Sequence, residues 1–156
     1  MSDATRDRIA VLQHRRRQST SREMLSTISR ELQEQHHQPI DPGVSLQLQA
    51  DLQTKLKEMR AQGALNRRAF AAADAAIAAV RARIDALGAE AVFEVYAAAN
   101  ASGFFSGQLS SEFLRACLQR GYEGLVAVLP DLVAGVILDV AFDDPLHGNF
   151  YEVLSW

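Results

Sequence analysis

The sequence predicts an all-α fold: a helical hairpin leading into a compact helical bundle, about six to seven helices in all, with room for a short irregular C-terminal segment. Three features carry that expectation. Apolar residues recur at helical spacing along the first half of the chain, in the sets Met24, Leu25, Ile28, Leu32, then Leu48, Leu52, Leu56, Met59, then Phe70, Ile77, Val80, Ile84, Leu87. Alanine, the strongest helix former, dominates residues 66–87. Prolines and glycines fall between the stripes, at Pro39, Pro42, Gly63 and Gly88.

Each element follows from local signals. Residues 2–18 form a short polar helix whose apolar members, Ile9, Val11 and Leu12, are too few to hold it firmly against a core. A second helix is expected over 21–35, where Ser19, Thr20 and Ser21 offer capping hydroxyls and Glu23 suits the first turn. The run from His37 to Gly43 breaks the chain. A third helix spans 44–61 and stops at Gly63, which suits a left-handed cap. A fourth spans 66–87, and the short link at Gly63 makes the pair an antiparallel hairpin.

The texture then changes. Residues 89–99 read as a helix with Val92, Phe93 and Tyr96 inward, and 100–107 as a Ser/Gly-rich loop presenting Phe104 and Phe105. Ser110 caps the next helix, with Glu112 in its first turn and Leu109 stapled to Leu114. Leu125–Leu129 fits a strand or a helix equally. Pro130 opens a core helix to Ala141, with Leu132, Val133, Val136, Ile137 and Val140 inward. Asp143-Asp144-Pro145 is a turn, and Phe150 to Trp156 a last packed segment. The expected organisation is a polar helical arm over 1–43 and a helical core over 44–156, the latter divided into the hairpin (44–87) and an aromatic, acidic bundle (89–156).

Charge divides in the same way. Residues 1–88 hold 14 Lys and Arg against 10 Asp and Glu, whereas residues 89–156 hold 2 against 9. Phe70 is the only aromatic residue before position 89, and ten follow. Such asymmetry bears on partners, not on fold. The single cysteine, Cys117, permits no intrachain disulfide, which favours a reducing, cytoplasmic setting and a core role for the thiol. No apolar run follows the N-terminal arginines as a secretory signal requires. The most apolar stretch, Leu125–Phe142, is interrupted by Pro130, Asp131, Gly135 and Asp139, which fits a core segment and not a membrane span.

No chemical motif stands out. His36 and His37 are adjacent and diverge on a helix, so no metal is expected. Asp139, Asp143, Asp144 and His147 are the best acid/base group, yet Asp-Asp-Pro is ordinary turn chemistry and no nucleophile or oxyanion site accompanies them. Neither a nucleophile elbow nor a phosphate loop is present, and no cofactor is expected. The expected function is therefore non-enzymatic protein binding by an adaptor, chaperone-like or inhibitor/immunity-type factor, or self-association through the same helices. The residues expected to carry it are Arg15, Arg16 and Arg17 in the basic arm, Phe104 and Phe105 in the loop, and Trp156 in the aromatic tail. A nucleic-acid-associated regulator using the basic arm is the alternative, and ranks lower because the arm lacks aromatics and the chain is acidic overall. A small enzyme using Asp139, Asp143, Asp144 or His147 comes third.

Overall fold

The structure, a computed structural model, describes residues 2–97, 100–144 and 148–156, with the backbone alone at 100, 141–144, 148 and 149. It overturns the all-α expectation and the helical bundle with it. Among the described residues four helices, α1 (Asp3–Glu31), α2 (Pro42–Gln62), α3 (Ala73–Leu87) and α4 (Ser111–Gln119), surround an eight-stranded sheet. The strands are β1 (Gln38–Pro39), β2 (Asn66–Phe70), β3 (Val92–Ala97), β4 (Asn100–Ala101), β5 (Phe105–Ser106), β6 (Gly124–Val128), β7 (Gly135–Asp144) and β8 (Gly148–Ser155). They pair antiparallel in the order β1-β5-β3-β6-β7-β8-β2, with β4 folded back on β3.

Most of the second half is therefore strand. Of the helix expected over 89–99, residues 92–97 are β3 and residues 98 and 99 lie outside the described residues; the core helix expected over 130–141 is a turn followed by β7. Leu125–Leu129 resolves as β6, and the terminal segment as β8. The reason lies in the registers. Glu94, Val126, Ile137, Leu154 and Arg67 form one row across five strands. The adjacent residues Val95, Leu125, Leu138, Val153 and Arg68 form the next row, on the opposite face. Each row is apolar in its middle, because helices cover both faces of the sheet. A strand buried on both sides reads as a continuous apolar run, and its period-two signal disappears. Pro130 and Asp131 make the β6–β7 turn, closed by Leu132 N–H to Leu129 O (2.8 Å) and by Val133 N–H to the Asp131 carboxylate (3.2 Å).

Two cores result. On one face Phe93, Val95, Leu125, Leu138 and Val153 pack under Ile77 and Val80 of α3, Phe113 and Cys117 of α4, and Leu25 and Ile28 of α1. On the other, Val92, Val126, Ile137 and Leu154 pack under Leu48 and Leu52 of α2. Leu25 and Ile28 of the expected arm thus belong to the main core.

The helices differ from expectation in length. The two helices expected over 2–35 are one 29-residue helix. Its Ser/Thr cluster does not cap a second helix: residues 19–21 lie inside α1, and the Thr20 hydroxyl donates back to Arg16 O. The second helix of the expected hairpin begins at Ala73, and residues 66–70 ahead of it are β2. The capping signals at α2 and α4 match their geometry. Gly63 takes the left-handed conformation (φ 64°), and the Ser110 hydroxyl accepts from Phe113 N–H.

Candidate functional site

A polar joint with no local signal in the sequence lies where α1, α2 and the β4–β5 segment meet. His14 and Gln18 lie one helical turn apart on the inner side of α1, and both are buried. His14 Nε2 lies 2.7 Å from Ser45 Oγ, and Ser45 Oγ accepts from Phe104 N–H at 2.8 Å. The Gln18 amide donates to Ile40 O and Phe104 O. Gly103 (φ 78°) makes the approach possible, since a Cβ there would stand 2.5 Å from Gln18 Cγ and 3.0 Å from His14 Nε2. A hydroxyl bonded to an imidazole resembles an activated nucleophile. Here neither residue has any exposed surface, so no substrate reaches the pair in this conformation. Its chemistry is cohesion, as it fastens α1 to two other segments.

Electrostatics mark the surroundings. Burial pushes the His14 imidazole below its ordinary pKa, and Arg17 adds to the shift. Glu94, on the α2 side of the sheet, accepts from the Gln49 amide. Burial raises its carboxyl pKa, while Gln49, the Gly103 backbone and Arg17 pull it down.

A cleft of about 870 Å³ opens beside β1 and β5. Phe93, Ala127, Leu109 and Ile84 supply its apolar surfaces, and Glu34, Gln38, Arg81, Asp85 and Gln108 are among its polar ones. Several of these groups already have partners. Glu34 accepts from Ser110 Oγ at 2.6 Å, and Arg81 pairs with Asp85 at 2.8 Å. His37 stands behind the cleft, edge-on to Phe93 and Phe113, with Nε2 donating to Gln108 O at 2.5 Å. It is a core residue, and burial lowers its pKa. Among the described residues no cluster of three or more His, Cys, Asp or Glu is placed to hold a metal ion.

The residues expected to form the binding surface do not come together. Phe104 and Phe105 have no exposed surface: Phe105 packs near Phe93 in one core, and Phe104 lies in the other. Their expected outward presentation is corrected by this burial. The Ser/Gly residues around them serve close packing, since Gly103 admits α1 and Gly107 admits His37. Trp156 is half-buried, its indole donating to Leu132 O at 3.0 Å. Arg15, Arg16 and Arg17 are exposed on α1. Asp139 is exposed and accepts from Tyr96 O–H at 3.4 Å. The side chains of Asp143, Asp144 and His147 lie outside the described residues. Comparison of the chain with protein-family models, curated proteins and solved structures finds no match. No described helix is long and apolar enough to cross a membrane.

What the structure adds to the arginines is an apolar pair. At about 100° per residue, Ile9, Leu12 and Arg16 fall on the side of α1 opposite the buried His14, Gln18, Leu25 and Ile28. Ile9 is 40% exposed and Leu12 56% exposed. Arg8 and Arg15 flank them, and among the described residues neither these two nor Arg16 has an acidic partner.

Proposed function

We propose that the protein works by binding another protein through the outward face of α1. The supporting observation is the exposed pair Ile9 and Leu12 set among the unpaired Arg8, Arg15 and Arg16. Apolar side chains three residues apart on a helix anchor in an apolar groove, and arginines around them select a groove with an acidic rim. The helix is preformed, because its second half is fixed in the core and its middle by the His14–Ser45 joint. Little ordering entropy is then lost on docking. Two copies meeting through this face would set arginine against arginine, which favours a different protein over self-association.

The test is a nuclease-treated pull-down with the full chain, repeated with Ile9→Asp/Leu12→Asp and with Arg15→Glu/Arg16→Glu. A protein retained by the parent, lost by both variants and kept by Val133→Asp supports this reading; Val133 is an exposed apolar residue elsewhere on the molecule. A protein that all variants retain argues against it.

A nucleic-acid reading has one observation of its own. Arg8, Arg15 and Arg22 recur at seven-residue intervals, about 10 Å apart along one side of the helix. Binding that vanishes with nuclease, and weakens steeply as salt rises, would favour it.

A further inference from the structure

The two edges of the sheet are finished differently. At one end β1 contributes two residues, one of them Pro39, which cannot donate to a further strand. At the other end β2 presents five consecutive residues, Asn66 to Phe70, without proline or glycine. Asn66 to Ala69 are exposed, and Phe70 is half-buried. Residues 66–70 pair with β8 on one side, and no backbone hydrogen bond joins them to any other described segment. About half of their N–H and C=O groups therefore face outward, enough for roughly four to six further bonds with an added strand.

The side chains on this edge define what it accepts. Arg67 ends the row that runs through Leu154 and Ile137, and Arg68 ends the row through Val153 and Leu138. The two arginines thus lie at neighbouring positions on opposite faces of the sheet. Arg67 is held by Glu152 at 2.9 Å. The Arg68 guanidinium lies 4.9 Å over the Phe70 ring and has no acidic partner among the described residues. A second copy paired in full register would set Arg68 against Arg68, which is unfavourable. Edge charge of this kind prevents strands of one protein from pairing with each other. The same charge attracts an edge of opposite sign.

We infer that β2 is a docking edge for an extended acidic segment of a partner protein, which adds to the sheet as a further strand. The segment places a carboxylate beside Arg68 on one face, a second beside Arg67 on the other, and an apolar residue beside Phe70. Backbone bonds supply the affinity, and Arg68, without an acidic partner among the described residues, supplies most of the choice of partner. This surface is separate from the outward face of α1 and does not depend on it.

The test uses the full chain and a labelled eight-residue peptide, rich in Val and Ile, with two adjacent Glu at its centre. The controls are the same peptide N-methylated at alternate amides and a version with Lys for Glu. Fluorescence anisotropy is expected to show binding of the acidic peptide alone, weakened about tenfold or more by Arg68→Glu and restored by Arg68→Lys. The circular dichroism spectrum of each variant checks the fold. Absence of binding overturns the proposal, as does binding indifferent to N-methylation or to Arg68→Glu. Light scattering supplies the remaining outcome: a dimer of the parent chain that Arg68→Glu alters would assign the edge to a second copy and also overturn it.

Discussion

His14 and Ser45, separated by 31 positions, meet at 2.7 Å in the interior, and the Phe104 backbone closes the same joint. Through this contact a helix, the first turn region of another helix and the approach to a strand become one rigid piece. Removing the hydroxyl leaves a buried N–H and an imidazole nitrogen without partners. Ser45→Ala is therefore expected to cost about 1–3 kcal/mol, read by urea denaturation. A loss below the error of that measurement would show that the joint adds nothing to cohesion.

Gly103→Ala should be as damaging or worse. The new methyl meets Gln18 Cγ at 2.5 Å, and φ of 78° strains any residue with a side chain. Hydrogen exchange would show the consequence as faster exchange in the middle of α1. An unchanged exchange pattern would contradict the role given to the glycine.

Acid should loosen the fold through its buried histidines. His14 and His37 both have folded pKa values below the ordinary 6.5. The unfolded chain then binds protons first, so stability falls as pH drops from about 6.5 through the folded values. Glu94 acts in the opposite sense: its raised pKa lets the folded state take up a proton before the unfolded state does, above the ordinary 4.5. Glu94→Gln is expected to raise Tm at pH 7.5 and to lose that advantage as the pH approaches 4.5. Melting curves between pH 4.5 and 7.5 test both signs, and a Glu94→Gln protein whose Tm rises on acidification to pH 5.5 contradicts the histidine assignment.

The two kinds of expected binding residue should respond differently to substitution. Phe105→Ala opens a cavity in the main core and should cost about 3–5 kcal/mol. Arg15→Glu/Arg16→Glu, fully on the surface, should change stability by no more than about 0.5 kcal/mol per site. Thermal melts of the two proteins settle whether any binding defect reflects a lost contact or a lost fold.

Cys117 is 3% exposed, and burial pushes its thiol up to about 12. Native protein at pH 8 should react with a thiol reagent far more slowly than unfolded protein does, since thiolate and access are both lacking. Comparable rates in the two states would place the cysteine nearer the surface.

The helical part of this fold was legible in the sequence, and the sheet was not. The α2 stripe of Leu48, Leu52 and Met59, its Gly63 stop and the Ser110 cap of α4 are local signals, and each acts where it stands. The runs Val92–Val95, Leu125–Val128 and Val136–Val140 lose their alternation because both faces of the sheet are covered, leaving β-branched content as the only strand signal. The exposure of Arg15, Arg16 and Arg17 follows from their charge. The fate of Phe104 and Phe105 does not, because small neighbours serve a loop and a close packing contact equally well. Only the approach of His14, Gln18 and His37 from distant segments distinguishes the two.

The order of the strands also bears on how the chain acquires its shape during synthesis. Strand β2 emerges early, yet its neighbour in the sheet, β8, is the last of the eight strands to leave the ribosome. Between them the nascent chain must hold residues 66–70 unpaired, while most of the two hydrophobic layers are still to be made. Such long-range pairing folds slowly and exposes a sticky edge in the interval. Two adjacent arginines in the waiting strand keep neighbouring nascent chains from aligning there, so the residues that mark the finished edge also protect the unfinished one.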